Sequence, residues 1–478
     1  MTVVVHKKLL AVVGAALLLP GCAATSLFKP YPIQAADFRA AITAAPAVSA
    51  DPAGTSLAAG LAAAPGAAGT HTADIMRKLD RRRTGADGTL YLMERGRIAQ
   101  LQGDYATSKT DFEQVIANMQ AADDKAMLSA SGGVALGAAL LTNDNAIPYK
   151  ASDYERVLVH LFQVFNYLGL KDIEGATIEL RRAQQVQREI ELRHDKEVSE
   201  ARGEAAQNNI NVGEFDQYFS GMDTIAGKVK NSFQNGYVFY TAAMIREALG
   251  EYNDAMVDLK KALEMAPNSR ELREDVIRLN RYFGGGNKTN GKTGTVIVLY
   301  EQDFVPQKSA IGLPIPTMDG GVFSIQFPIY NGSDYVAPRP LTVRFGTGTK
   351  QTMPLADTGA LAVKAHREKI VGLLVRQVLR ARAKYELQKQ AADQGGLVGQ
   401  FAANIYNVVS EQADLRSWLT LPAHGQGTRL VLPAGQQTIE LVTGTGSTPV
   451  NIEVRAGRTT IIRAVEANYQ LITQTFAL

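Results

Sequence analysis

QNGYVFYTAAMIREALGEYNDAMVDLKKALEMAPNS, residues 234 to 269, decides how the first half of this chain folds. Apolar residues recur every three or four positions in two stretches that meet at Gly250, the spacing of two amphipathic helices joined by a tight turn. Small residues at Ala243, Gly250 and Ala255 let the helices approach closely, while Tyr252 and Leu259 fill the gap between them. Pro267 ends the second helix, because a proline ring removes a backbone donor and clashes with the preceding turn.

The pattern recurs upstream. LYLMERGRIAQLQGDYATSKTDFEQVI (90–116) places Gly96, Gly103, Tyr105 and Phe112 at the same intervals, with Ser108 standing where Ala255 stands in the later copy. YERVLVHLFQVFNYLGLKDIEGATIELRRAQQVQ (154–187) keeps Gly169, Ala176, Leu180 and Ala183, with a turn expected to be two residues longer. These stretches resemble tetratricopeptide repeats, units of about 34 residues that stack into a solenoid. The copies lie farther apart than one repeat, so divergent helices are expected within 124–142 and 214–233. A repeat consensus is a packing code, so function is expected on the concave face, where Asn166, Arg181 and Arg246 are the candidates for gripping a protein partner. His160 reads as a packing histidine.

The chain has 478 residues, 46% hydrophobic and 20% charged, with a formal net charge of +3. That is enough apolar material for several packed domains, and the near-neutral balance argues against nucleic acid as a partner. At the N-terminus, His6, Lys7 and Lys8 precede the apolar stretch LLAVVGAALLLPG, which runs into Cys22, the single cysteine of the chain. A basic region, a short apolar region and a small residue before the cut are the layout of a secretory signal. Leu19-Pro20-Gly21-Cys22 resembles the bacterial lipobox, with Pro20 where a smaller residue is usual. The resemblance implies cleavage after residue 21 and lipid attachment at Cys22, and Ala23 after the cysteine implies the Gram-negative outer membrane. Residues 22–72 are rich in Ala, Gly and Pro and read as a flexible tether, with a reach of roughly 35–40 Å.

Beyond a helical region spanning 73–283, GGGNKTNGKTG (284–294) contains a Walker A match from Gly286 to Thr293. A phosphate loop needs a strand before it and a helix after it. Here a helical pattern precedes and the β-rich GTVIVLYEQ follows, so the stretch reads as an interdomain hinge and no nucleotide is expected. From 295 to 478 the chain alternates apolar and polar residues in β-branched runs, most cleanly at Ile439/Leu441 and Val450/Ile452/Val454, with PAG and RAG at turns. That run resembles the small PEGA-type β-sandwich modules of exported bacterial proteins. A helical insertion, 358–411, carries an apolar stripe (Ile370, Leu374, Val378, Ala381, Tyr385) and a basic one (Lys369, Arg376, Arg380, Lys384), as expected of a helix packed on the sheet with a solvated basic face.

No close metal pair of the HExxH kind and no GxSxG elbow occurs, so no metal, cofactor or catalytic residue is expected. Asp144 and Asp153 sit in TNDNAIPYKASDYE, which lacks the ligand alternation of a Ca²⁺ loop and reads as a turn. Trp418 reads as buried packing in RSWLTLP. The combination of lipobox, LTNDNAIPYKASDYERVLVHLFQVFNYLG, DTGALAVKAHREKI and ADLRSWLTLPA resembles an uncharacterised family of Gram-negative lipoproteins with tetratricopeptide repeats. That resemblance implies a link to lipoproteins that activate peptidoglycan synthases. The expected fold class is α+β multidomain: a tetratricopeptide-like α-solenoid, then a mostly β, sandwich-like domain with inserted helices. The expected function is a non-catalytic, lipid-anchored scaffold for envelope proteins. Peptidoglycan association and, as a further alternative, a glycan-acting enzyme stay open.

Overall fold

The computed structural model describes residues 30–43, 67–132, 147–283, 291–316, 322–410 and 412–478. Among them, the first half is helical: α1 (Ala35–Thr43), α2 (Ala67–Arg82), α3 (Gly88–Leu101), α4 (Tyr105–Gly132), α5 (Asp153–Gly169), α6 (Ile173–Gln207), α7 (Asp216–Ala226), α8 (Gly236–Ala248), α9 (Tyr252–Met265) and α10 (Arg270–Phe283). The second half is built from β1 (Thr293–Phe304), β2 (Lys308–Pro316), β3 (Val322–Tyr330), β4 (Thr342–Phe345), β5 (Gly348–Gln351), β6 (Met353–Asp357), β7 (Pro422–Pro433), β8 (Gly435–Thr443), β9 (Gly446–Val454), β10 (Thr459–Ala467) and β11 (Gln470–Ala477). One long helix, α11 (Thr358–Ser410), interrupts the strands. The fold class is α+β, with helical repeats followed by a multi-sheet β region.

Three helix pairs, α3/α4, α5/α6 and α8/α9, carry the repeat pattern. Each is joined by three residues, 102–104, 170–172 and 249–251, so the middle turn is not longer than the others. Gly169 is the last residue of α5, where a Cβ would come within 2.4 Å of the Tyr105 ring. The left-handed turn position is occupied by Lys171 (φ 61°), matching Gly103 (φ 83°) and Gly250 (φ 81°). Counted from that residue the pairs share one register. Ser108, Ala176 and Ala255 are equivalent and fully buried, as are Phe112, Leu180 and Leu259. A lysine in this conformation carries a steric cost that glycine does not, and that substitution hid the true turn from glycine counting.

Part of the expected tether is not a tether. Residues 31–43 form a 3-10 turn and α1, and Phe38 and Ile42 are buried in the main core. The interval carries Tyr31, Phe38 and Ile42 among its alanines, enough apolar surface to seat it. Residues 1–29, with Cys22, and 44–66 lie outside the described residues.

The five-stranded sheet runs β11-β10-β1-β7-β6, antiparallel except for the β1–β10 pair, and a four-stranded sheet runs β5-β4-β8-β9. They face each other as a sandwich over Val296, Val298, Val343, Ile439, Leu441 and Ile452. On β1, the alternate residues Ile297 and Leu299 point the other way, into the helices. Successive strand side chains alternate faces, so a central strand covered on both sides reads as the unbroken apolar run TVIVLY.

The sheet docks directly on the repeats. At Gly425 and Gly427 of β7 an added Cβ would lie 2.5 Å from Tyr237 and 2.7 Å from Tyr240, both on α8. Residues 284–290 of the expected hinge lie outside the described residues. On either side of them helices and sheet contribute to one buried core. The apolar stripe of α11 (Ile370, Leu374, Val378, Ala381) is buried, and α11 packs chiefly on α6 and α7 rather than on the sheet. Arg380 of its basic stripe is also buried, whereas Lys369 and Arg376 are exposed; the Lys384 side chain lies outside the description. Among the described residues no helix is long and apolar enough to cross a membrane.

Candidate functional site

The first helix of each pair, α3, α5 and α8, is buried along nearly its whole length, because its inner face is already covered. The cover is the five-stranded sheet together with residues 412–421, an irregular segment that leads into β7. Two glutamates receive this segment as a repeat groove would receive a peptide. Glu155 of α5 accepts the Trp418 backbone N–H at 3.0 Å. Glu94 of α3 accepts the Leu419 N–H at 2.6 Å through Oε1 and the Thr420 hydroxyl at 2.6 Å through Oε2. Tyr31 donates to the same Glu94 carboxylate at 3.2 Å. The Trp418 indole is fully buried between Phe112 and Phe162, edge-on to the latter at 5.5 Å, and its Nε1–H donates to Thr420 Oγ1 at 3.0 Å. Arg416 ties the segment's start to Asp414 at 2.8 Å, to Asp87, and to the Ile147 carbonyl at 2.9 Å.

Burial raises the Glu94 carboxyl to about 7, against the lowering effect of its bonds to Thr420, Leu419 and Tyr31. A carboxyl poised near neutrality can serve as a general acid or base. Glu94 is sealed from solvent and its acceptor positions are taken by the chain itself, so its geometry is that of a structural clamp.

Deeper in the same interface lies a cluster of buried charge. Arg463 of β10 meets Glu301 of β1 through two bonds of 2.6 and 3.1 Å, and Arg97 of α3 pairs with the same carboxylate. Burial alone would raise the Glu301 pKa; Arg463 and Arg97 outweigh it and hold the group below its ordinary value. Desolvation brings Arg97 down to about 10. Gln100 accepts from Arg463 at 2.9 Å and donates to Asn166 at 2.7 Å, which joins helices and sheet in one polar network.

Of the three residues expected to grip a partner, only Arg181 is exposed, on the outer helix α6. Asn166 is fully buried and donates to Gln163 at 2.7 Å. Arg246 is buried, paired with Asp258 at 2.8 Å and donating to Gln184 at 3.1 Å. Asn166 and Arg246 are thus interior packing groups, and the three do not form one surface. His160 bonds Glu179 at 2.7 Å within the core.

The corrected register exposes a feature that residue-by-residue reading missed. Asp111, Glu179 and Asp258 occupy equivalent positions on the second helices, all are buried, and a first-helix side chain meets each: Arg95, His160 and Arg246 respectively. Burial raises the Asp258 carboxyl to about 6 in spite of Arg246. The available signal was an acid directly before each buried Phe112, Leu180 and Leu259, three to four residues from neighbouring small positions.

Elsewhere, the Walker-like stretch has α10 before it and ends on β1 at Thr293, so the element order is helix then strand. Asp144 lies outside the described residues; Asp153 opens α5 and pairs with Arg193 at 2.5 Å. Among the described residues no three His, Cys, Asp or Glu side chains converge to hold a metal. An open cleft of about 210 Å³ lies between α6 and α11, lined by His194, Val198, Ala201, Lys369, Gly372 and Arg376 among others.

No curated protein and no solved structure matches the chain. Residues 237–269, which comprise most of α8, all of α9 and the turn between them, match the family model for the tetratricopeptide repeat.

Proposed function

We propose that this chain is a non-catalytic, lipid-anchored scaffold that faces the periplasm from a Gram-negative outer membrane and binds other envelope proteins through its helical repeats. The observation that carries the protein-binding part is the set of three helix pairs in one register, the last of which matches the tetratricopeptide repeat model. Repeats of this kind build extended binding surfaces. The anchor and the compartment rest on the basic residues, apolar stretch and lipobox-like Leu19-Pro20-Gly21-Cys22 of the sequence.

The filled inner face moves the contact surface to the outside, where α4, α6, α9 and α11 present solvated side chains. Two measurements test the reading. A palmitate analogue fed to cells should label the intact chain and leave Cys22→Ala unlabelled. Photo-crosslinkers placed at the exposed positions Arg181 and Lys260 should trap a discrete set of envelope proteins, whereas one at buried Asn166 should trap only the chain itself. If the outer positions trap nothing while purified sacculi retain the chain, the scaffold gives way to a peptidoglycan tether. Release of soluble glycan fragments from those sacculi by the pure protein would replace it with an enzyme.

A further inference from the structure

The cleft between α6 and α11 has two unlike walls. On the α6 side, Arg193 is committed to Asp153 at 2.5 Å and to Glu197 at 2.6 Å, and His194 lies 3.6 Å from Glu368 of α11. Asp153 and Glu197 are therefore matched by Arg193, and Glu368 has within ion-pair distance the His194 ring, a partner that carries charge only when protonated. On the α11 side, Lys369 and Arg376 project from one face of the helix seven residues apart, and neither has an acidic partner among the described residues. Seven helical residues span about 10.5 Å. Between them the wall is Gly372, opposite Ala201, whose Cβ would lie 3.8 Å from a Cβ built on the glycine. These two small residues form a low floor in the cleft, and the Arg376 guanidinium lies beside it, its Nη1 3.9 Å from the same Cβ position.

We infer that this cleft is the docking site for an amphipathic helix of a partner protein, with acidic residues at i and i+7 facing α11 and apolar residues at i+3 and i+4 between them. The acids meet Lys369 and Arg376, the repeat distance is that of the partner's own two turns, and the apolar residues rest on the low floor formed by Gly372 and Ala201. This rests on the scaffold reading and gives it a surface and a partner chemistry. A basic helix face can also meet an anionic membrane. The paired acids of the opposite wall and the concave cleft between two helices favour a folded peptide over a lipid surface.

The test uses the full mature chain in detergent and a fluorescent Ala-based helical peptide carrying Glu at i and i+7 and Leu at i+3 and i+4, beside the same peptide with Lys for Glu. By fluorescence polarisation the Glu peptide should bind at least tenfold tighter than the Lys peptide, and the double variant Lys369→Glu, Arg376→Glu should reverse that order. Both residues are exposed, so the thermal melt of the double variant should match the parent. Gly372→Leu, which raises the floor of the cleft while leaving both charges, should weaken the Glu peptide about tenfold. Equal binding of the two peptides, or of neither, overturns the proposal, as does a preference the double variant leaves unchanged. Binding to phosphatidylglycerol vesicles that the double variant abolishes, with no peptide binding, overturns it in favour of a membrane face. If the crosslinked partners persist at parental yield in the double variant, the scaffold stands and this cleft is not its contact.

Discussion

Arg97 on α3 and Glu301 on β1, 204 residues apart in the chain, form an ion pair with both side chains sealed from solvent. The pair is completed by Arg463, which reaches the same carboxylate from β10. It lies where the repeats meet the sheet, so the helical and β regions each bury a charge whose partner belongs to the other. A buried charge left without its partner is far costlier than the intact pair is stabilising.

Glu301→Ala therefore leaves two arginines uncompensated in the core and should destabilise the chain by roughly 3–5 kcal/mol. Urea unfolding followed by helical circular dichroism and by Trp418 fluorescence should give coincident transitions in the parent, because both regions share one core. Separate transitions in the parent would show two independent folding units.

Gly425→Ala and Gly427→Ala should each cost about 1–3 kcal/mol through overpacking against Tyr237 and Tyr240. The paired variant Gly425→Ala, Tyr237→Leu should recover part of that loss in a double-mutant cycle. No recovery would place the damage in the strand backbone instead of the helix–sheet contact.

Trp418 is the single tryptophan of the chain and is fully buried. Its removal in Trp418→Ala should cost roughly 3–5 kcal/mol. Its native emission should be blue-shifted and poorly quenched by iodide. Ready quenching in the folded protein would mean that residues 412–421 leave the repeats in solution.

Lys171→Gly should stabilise the middle repeat by about 1 kcal/mol, because glycine adopts the left-handed turn of Lys171 without a Cβ clash. The gain is read as a higher urea midpoint with an unchanged slope.

Burial lifts the Glu94 carboxyl to about 7 from an ordinary value of 4.5. Between those values the folded chain holds a proton that the unfolded chain has released, so stability falls as pH rises through that window and levels off above it. The loss is of order 3 kcal/mol at 1.36 kcal/mol per pKa unit. Asp258, raised to about 6 from 3.8, adds a loss of the same sign over its own window. Urea midpoints measured from pH 5 to pH 8 should decline, and Glu94→Gln should flatten the upper part of the curve. A rise in midpoint over this range would contradict the burial assigned to Glu94.

The helix pairs, the alternating strands and the order of the Walker-like stretch could be read from sequence, because each rests on spacing within a few residues. Ala176, Leu180 and Ala183 stand where their pattern implied, and Ile439, Leu441, Val450, Ile452 and Val454 face the sandwich core. The middle turn was misread because Gly169 looked like Gly103 and Gly250, whereas backbone φ, not residue type, marks the turn at Lys171. Asn166 and Arg246 looked like surface groups since polarity usually implies exposure; their partners, Gln100 and Gln184, lie more than sixty residues away.

The sequence by itself determined the helical character of the repeat region from residue 73 onward, the strand character of the runs beyond residue 294, and the repeat register from Ala176 onward. Periodicity is a local property and survives in one dimension. What only tertiary structure decided is that the repeats close on their own sheet and on Trp418, Leu419 and Thr420. Occupancy of a groove depends on contacts such as Glu94 with Leu419, 325 residues apart, and no local spacing records which distant segment will fill it.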